Sequence, residues 1–163
     1  MENLARDGHS HDASIIYVIG RVNQGIRREM RTRLAEFDLS VAEYTTLSVL
    51  NARPHLSNAQ LARRALVAPQ SMLEILAQLE RRSLVERQLV AGNARILRAR
   101  LTREGHNLLQ AADPAIQALD DEMFAGMSAR QQQAAMTAMR TAMANLSRSA
   151  GEPAKQPARC RGA

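Results

Sequence analysis

Arginine is the residue type with a chemical message in this chain, and its placement says what the message is. Lys155 is the only lysine among 22 basic residues. Residues 57–104 hold nine arginines against four glutamates, a balance of +5. Residues 1–56 balance to zero and residues 105–163 carry only +1. Nearly all of the net +6 therefore sits in one middle segment, which is the electrostatic footprint of a polyanion binder. A merely solvated basic surface is the competing reading of the same charge.

Other chemistries are poorly supplied. There is no glycine-rich phosphate loop, no nucleophile paired with a base and no metal motif, so neither an enzyme nor a cofactor is expected. His9, His11 and Asp12 could ligate a metal only at a mobile terminus, and His55 and His106 stand alone, so no metal site is expected. The single cysteine, Cys160, cannot form an internal disulfide, which points to a reducing, cytoplasmic setting. No apolar run is long enough to span a membrane, and Met1 to Asp12 lack the apolar stretch of a signal peptide. Aromatic residues make up 2% of the chain and tryptophan is absent. The core must then be aliphatic, and little remains to stack on single-stranded bases.

The elements that would carry the arginines announce themselves through their starts. Ser40-Val41-Ala42-Glu43, Ser57-Asn58-Ala59-Gln60 and Ser128-Ala129-Arg130-Gln131 are three capping boxes, in each of which serine and an acid or amide can satisfy each other's backbone N–H. A first long helix is predicted from about Ala13 to Glu36, with Asp12 as N-cap and Ile15, Ile16, Ile19, Val22, Ile26, Met30 and Leu34 at helical spacing. A second runs from Val41 to about Asn51, ended by Arg53-Pro54-His55. A short third runs from Asn58 to about Leu66. Pro69, suited to a first helical position, opens a fourth that reaches about Arg82. Its stripe Met72, Ile75, Leu76, Leu79 predicts a buried face.

From Ser83 to Leu101 the period changes to that of strands. Leu84 to Val90 and Arg95 to Leu101 flank the turn residues Ala91-Gly92-Asn93-Ala94, which predicts a β-hairpin. On its second strand Arg98 and Arg100 should share one face, with Leu97, Ala99 and Leu101 on the other. Thr102 caps a fifth helix to about Gly126 that Pro114 should kink or split, and a sixth runs from Ala129 to about Arg148. The tail beyond is expected to be disordered, as are residues 1–11.

Two helices joined by about three residues and followed by a hairpin form a helix-turn-helix with a wing. The fold class is mainly α with a small β-hairpin wing, and the basic segment coincides with that unit. The stretch from Leu39 to Gly105 reads LSVAEYTTLSVL, then LSNAQLARRALVAPQSMLEILAQLERRSLVER, then NARILRARLTREG. It resembles the MarR-type winged-helix transcriptional regulators, which share the order of leading helix, helix-turn-helix, "LV-x-R", an arginine-tipped wing and a closing "LT-x-x-G". Two positions depart from that pattern. Ser83 stands where glycine is usual, and Asn93 replaces an aspartate that often holds the wing arginine.

The resemblance implies a homodimeric, ligand-responsive repressor on palindromic duplex DNA. Its winged helix would span about 39–104 and its dimerisation helices about 12–37 and 102–149. Gln70, Ser71, Leu73, Glu74 and Gln78 are the outward residues of the recognition helix, able to meet base edges in the major groove. Arg63, Arg64, Arg81 and Arg98 are the expected phosphate contacts. Arg95, by resemblance, enters the minor groove from the wing tip. The family's pocket for small aromatic acids points to Tyr17, Arg21 and Tyr44 as ligand-binding candidates for an aromatic or anionic effector. Redox-sensing relatives carry a cysteine in the first helix, and Cys160 lies elsewhere. An architectural, nonspecific duplex binder is the alternative of a different class, and a protein-interaction module that has lost DNA is a third.

Overall fold

The computed structural model describes residues 14–90 and 93–151, with the side chains of residues 90, 93–96 and 149–151 left aside. Six α-helices and a three-stranded sheet follow one another in the order α1 (Ile15–Leu34), α2 (Val41–Ala52), β1 (Leu56–Ser57), α3 (Asn58–Ala65), α4 (Pro69–Arg81), β2 (Val85–Val90), β3 (Asn93–Leu101), α5 (Arg103–Met123) and α6 (Ala129–Gly151). The chain divides into two compact units at Asp120, the first holding α1 through most of α5 and the second holding the end of α5 and α6.

All three capping boxes form. Ser40 and Ser57 each accept from the backbone N–H three residues on, and Glu43 and Gln60 reach back to close the ring. Gln131 Oε1 accepts from the Ser128 backbone N at 2.8 Å. α1 begins at Ile15 with Ser14 in the N-cap position, two residues later than the pattern predicts, and a turn of 3-10 helix over Ala35–Phe37 follows it. Asp38 then takes the left-handed conformation at φ 51°, which lets Leu39 N–H return to the Leu34 carbonyl at 3.1 Å. α5 runs as one helix through Pro114, so the expected split does not occur.

The core is aliphatic, as the composition requires. Leu34, Leu47, Leu50, Leu61, Met72, Leu76, Leu79 and Leu109 are fully buried. At about 1.5–3 kcal/mol for each such side chain, they bind the helix-turn-helix to α1, α2 and α5. The whole stripe of α4 foreseen from its spacing is buried.

The wing carries one strand more than the sequence suggests. β1, only two residues long, pairs antiparallel with β3, giving the sheet order β1-β3-β2. It forms because His55, at φ 62°, turns the chain so that its N–H meets the Ala99 carbonyl at 2.9 Å. In β3 the face opposite Arg98 is only partly buried. Ala99 is buried and Leu101 packs on the core, but Leu97, expected to share their environment, is 42% exposed. The strands have by then run past the edge of the core, and Leu97 faces Leu89 across the ladder.

The closing LT-x-x-G has a steric reason. Thr102 Oγ1 accepts from Gly105 N–H at 3.0 Å and donates to the Ser83 carbonyl at 2.6 Å. Thr102 N–H donates to the Leu84 carbonyl at 3.1 Å. A Cβ on Gly105 would lie 2.0 Å from that same carbonyl oxygen. Only glycine lets the first turn of α5 settle on the start of β2 this closely.

Candidate nucleic-acid interface

α4 is amphipathic, and its outer face presents the residues predicted to read bases. Pro69 occupies its first turn and Ala68 its N-cap, so no side chain closes the amino end. Gln70, Ser71, Leu73, Glu74, Gln78 and Arg81 are all exposed beside the buried stripe. Asn58 Nδ2 donates to the Pro69 carbonyl at 3.1 Å, clasping the start of α3 to the start of α4. Between the two helices Leu66 adopts φ 56° and is 91% exposed. At the far end α4 stops in a Schellman turn. Leu84 N–H returns to the Leu79 carbonyl and Ser83 N–H to the Glu80 carbonyl, both at 2.9 Å. The motif requires a left-handed residue next to the cap, and Ser83 supplies it at φ 57°. That accounts for the glycine usual at this position, since glycine takes the left-handed conformation at no steric cost and serine takes it here with a Cβ.

The basic segment separates into two groups. Arg82 pairs with Asp38 and Glu43, Arg87 with Glu80, and Arg100 with Glu86 directly across the β2–β3 ladder. The bond from Glu80 also holds the Arg87 guanidinium above its ordinary pKa. These three arginines are spent on internal partners. Arg63 and Arg64 in the last turn of α3, Arg81 at the end of α4 and Arg98 on β3 are exposed. None of these four has an ion pair or a side-chain hydrogen bond among the described residues. The structure thus separates the predicted phosphate contacts from their paired neighbours, a division not foreseen from charge alone. Arg95 belongs to β3 by its backbone, while its side chain lies outside the described residues.

Comparison with known proteins places this arrangement. Residues 37–96 match the sequence model of the MarR family. The HTH-type transcriptional repressor Rv2887 of Mycobacterium tuberculosis is 35% identical over 125 residues, spanning 77% of this chain and 90% of the relative. This chain belongs to the MarR family. A crystal structure of Rv2887 in complex with DNA superposes with a TM-score of 0.67 at 32% identity, covering 80% of this chain and 98% of that one. A structure of Rv2887 with salicylic acid gives 0.65 at 33% identity, covering 80% and 96%. The family and its repressors are transcriptional regulators.

The predicted ligand residues of this MarR-family chain are not gathered into one site. Tyr44, half-buried on α2, donates its hydroxyl to Asp113 Oδ1 at 2.9 Å. Burial first, and then that carboxylate, push the phenol up to about 12. The cavity beside it, about 700 Å³, is also lined by Asp120, Gln110 and Gln117. Two carboxylates make it a poor host for an anion. Tyr17 and Arg21 lie exposed on α1, and no hydrogen bond joins either to Tyr44 among the described residues. A different cavity of about 460 Å³, lined by Gln24, Arg27, Arg31 and Ser40, offers two guanidinium groups that sequence reasoning missed. The signal was present as the i, i+4 spacing of Arg27 and Arg31 on α1. Among the described residues no group of histidine, cysteine, aspartate and glutamate could hold a metal ion. The metal candidates His9, His11 and Asp12, and Cys160, lie outside the described residues. No helix among the described residues is long and apolar enough to cross a membrane.

Proposed function

We propose that this chain is a cytoplasmic transcriptional repressor that binds a palindromic duplex operator as a homodimer and is released by a small aromatic or anionic ligand. The observation that carries the reading is the pairing pattern of the basic segment. The arginines without internal partners, Arg63, Arg64, Arg81 and Arg98, belong to the same winged helix as the exposed base-edge candidates Gln70, Ser71, Leu73, Glu74 and Gln78. The DNA complex of Rv2887 supports it. In this reading the four arginines neutralise phosphates and position the helix, while the α4 side chains read sequence. Arg95 enters the minor groove from the wing.

Residues 39–104 form the DNA-binding lobe, and the helices of 12–37 and 102–149 form the dimer. α1 leaves Ile15, Ile16, Val18, Ile19 and Val22 exposed, an apolar run that a monomer has no reason to keep in water. α6, in its own unit, exposes Met136, Met139, Met143 and Leu146. A two-fold dimer would cover both. No catalytic role is part of the proposal. For the effector, the salicylic acid complex of Rv2887 supports a small aromatic acid. Tyr17 and Arg21 remain candidates for it, and Arg27 and Arg31 offer the better carboxylate partners. Tyr44 is the weakest candidate, because its hydroxyl already serves Asp113.

The experiment compares affinity for a palindromic duplex, selected from a random pool by the full-length protein, with affinity for a shuffled duplex at fixed salt. A ratio of at least about 10³ is expected of a specific regulator. Equal affinities would overturn the reading in favour of an architectural binder. Arg95→Ala should weaken binding to the selected duplex, and an unchanged affinity would remove the wing from the interface. Titration with salicylate tests the effector, with Arg31→Ala expected to reduce binding.

A further inference from the structure

The carboxyl end of α4 is held by an ion cluster whose charged members, Arg82, Glu43 and Asp38, are not among the residues assigned to DNA. Arg82, the residue after α4, sends Nη1 to Glu43 Oε1 and Nη2 to Asp38 Oδ2, each at 3.4 Å. Glu43 is 7% exposed, a rare degree of burial for a carboxylate. Its second oxygen, Oε2, accepts from the Ser40 backbone N–H at 2.9 Å and from Ser40 Oγ at 2.7 Å. One carboxylate therefore closes the capping box of α2 and anchors the end of α4. Asp38 adds a solvent-exposed arm from the turn after α1, weakened by screening. Three segments meet at one guanidinium: the end of the α1 turn, the start of α2 and the end of the recognition helix.

We propose that Arg82, acting through Glu43, is a positioning residue that sets the angle of α4 and thereby operator specificity, without itself touching DNA. The inference rests on the DNA-binding reading given above. Its physical basis is leverage. The 13 residues of α4 make a rod of about 20 Å, so a swing of about 3° at the Arg82 end moves the Pro69 end by about 1 Å. Base-edge hydrogen bonds do not survive such a displacement. Contacts from long arginine side chains to phosphates do, because those side chains can follow. Loosening the anchor should cost sequence discrimination and spare electrostatic affinity. Glu43 cannot easily find another partner. A buried carboxylate that loses its cation drives local rearrangement, and Ser40 already occupies its other oxygen.

The test uses the full-length chain with two probes, the palindromic duplex selected by the wild-type protein and a shuffled duplex of equal composition, over a series of salt concentrations. Arg82→Met should lower the ratio of selected to shuffled affinity about tenfold, the worth of one good bidentate base contact. Shuffled affinity and the salt slope should stay as in the wild type. Glu43→Gln should give a similar loss, and the double variant should be no worse than Arg82→Met alone. Arg82→Lys keeps the charge but not the fork. It should recover part of the ratio, and it keeps the test decisive should Arg82→Met fail to fold. A fall in the salt slope by about one would make Arg82 a phosphate contact and overturn the proposal. So would an unchanged ratio, or equal losses on both duplexes, which mark a merely structural role. If the wild-type protein selects no sequence at all, the repressor reading itself fails, an outcome distinct from a variant that keeps full discrimination.

Discussion

Replacing Gly105 by alanine tests the packing of the wing against α5 with a single methyl group. The added Cβ would sit 2.0 Å from the Leu84 carbonyl oxygen and 2.9 Å from its carbon, both backbone atoms. No rotamer change can relieve that overlap, so α5 and β2 must separate by about 1.5 Å to reach ordinary contact. Two hydrogen bonds cross the same junction, Thr102 N–H to the Leu84 carbonyl at 3.1 Å and Thr102 Oγ1 to the Ser83 carbonyl at 2.6 Å. Overpacking of this kind costs about 1–3 kcal/mol, and each hydrogen bond lengthened out of range adds about 1 kcal/mol. Alanine returns about 0.8–1 kcal/mol through its better helix propensity. The net expectation is a loss of about 2–4 kcal/mol. At roughly 2–4 °C per kcal/mol for a chain of this size, Tm should fall by about 4–16 °C. Urea unfolding followed by circular dichroism, at one fixed protomer concentration, measures the free-energy loss, and a thermal melt measures the shift in Tm. Gly25→Ala is the matched control. It makes the same exchange inside α1, where the Cβ meets nothing within 4 Å, and should be neutral or stabilising. A Gly105→Ala variant within about 0.5 kcal/mol of the wild type would refute the steric account of the closing motif.

Two further changes probe other junctions. Ser83→Gly should raise stability by about 0.5–1 kcal/mol. Glycine removes the cost of a left-handed residue at φ 57°, partly offset by the greater freedom of its unfolded chain, and a lower urea midpoint would contradict this. In a Tyr17→Phe variant Tyr44 is the remaining tyrosine. Its tyrosinate absorbance should titrate near 12, and Asp113→Asn should move the midpoint down. Because the folded-state value is raised, the folded protein keeps this proton where the unfolded chain loses it. The associated stabilisation is full below about pH 10 and is lost as pH rises towards about 12. A midpoint near 10 would show that the Tyr44–Asp113 bond does not persist in solution.

Much of the fold was legible in the sequence because its signals are local. A capping box links atoms three residues apart, so Ser40, Ser57 and Ser128 marked helix starts that the structure reproduces. The stripe of α4 was readable because spacing alone decides which side chains share a face. The two-residue strand β1 was not readable. It exists only because β3 offers a partner edge to Leu56 and Ser57, a contact across more than 40 positions. Pro114 misled for the opposite reason: a local helix-breaking signal was overridden by the packing of α5, where Leu109, Ala112 and Ile116 contribute to the core.

The basic segment divides in the same way. Composition and position were enough to locate the charge, since formal charge needs no partner to be counted. Which guanidiniums remain available is a tertiary property. Glu80 and Arg87 lie seven residues apart across the end of α4, and Glu43 and Arg82 lie 39 apart. Ion pairs form by proximity in space, which the folded core imposes and the linear chain does not reveal. The sequence showed a chain built to hold a polyanion; the packing decided that Arg82, Arg87 and Arg100 hold the protein together and leave Arg63, Arg64, Arg81 and Arg98 facing outward.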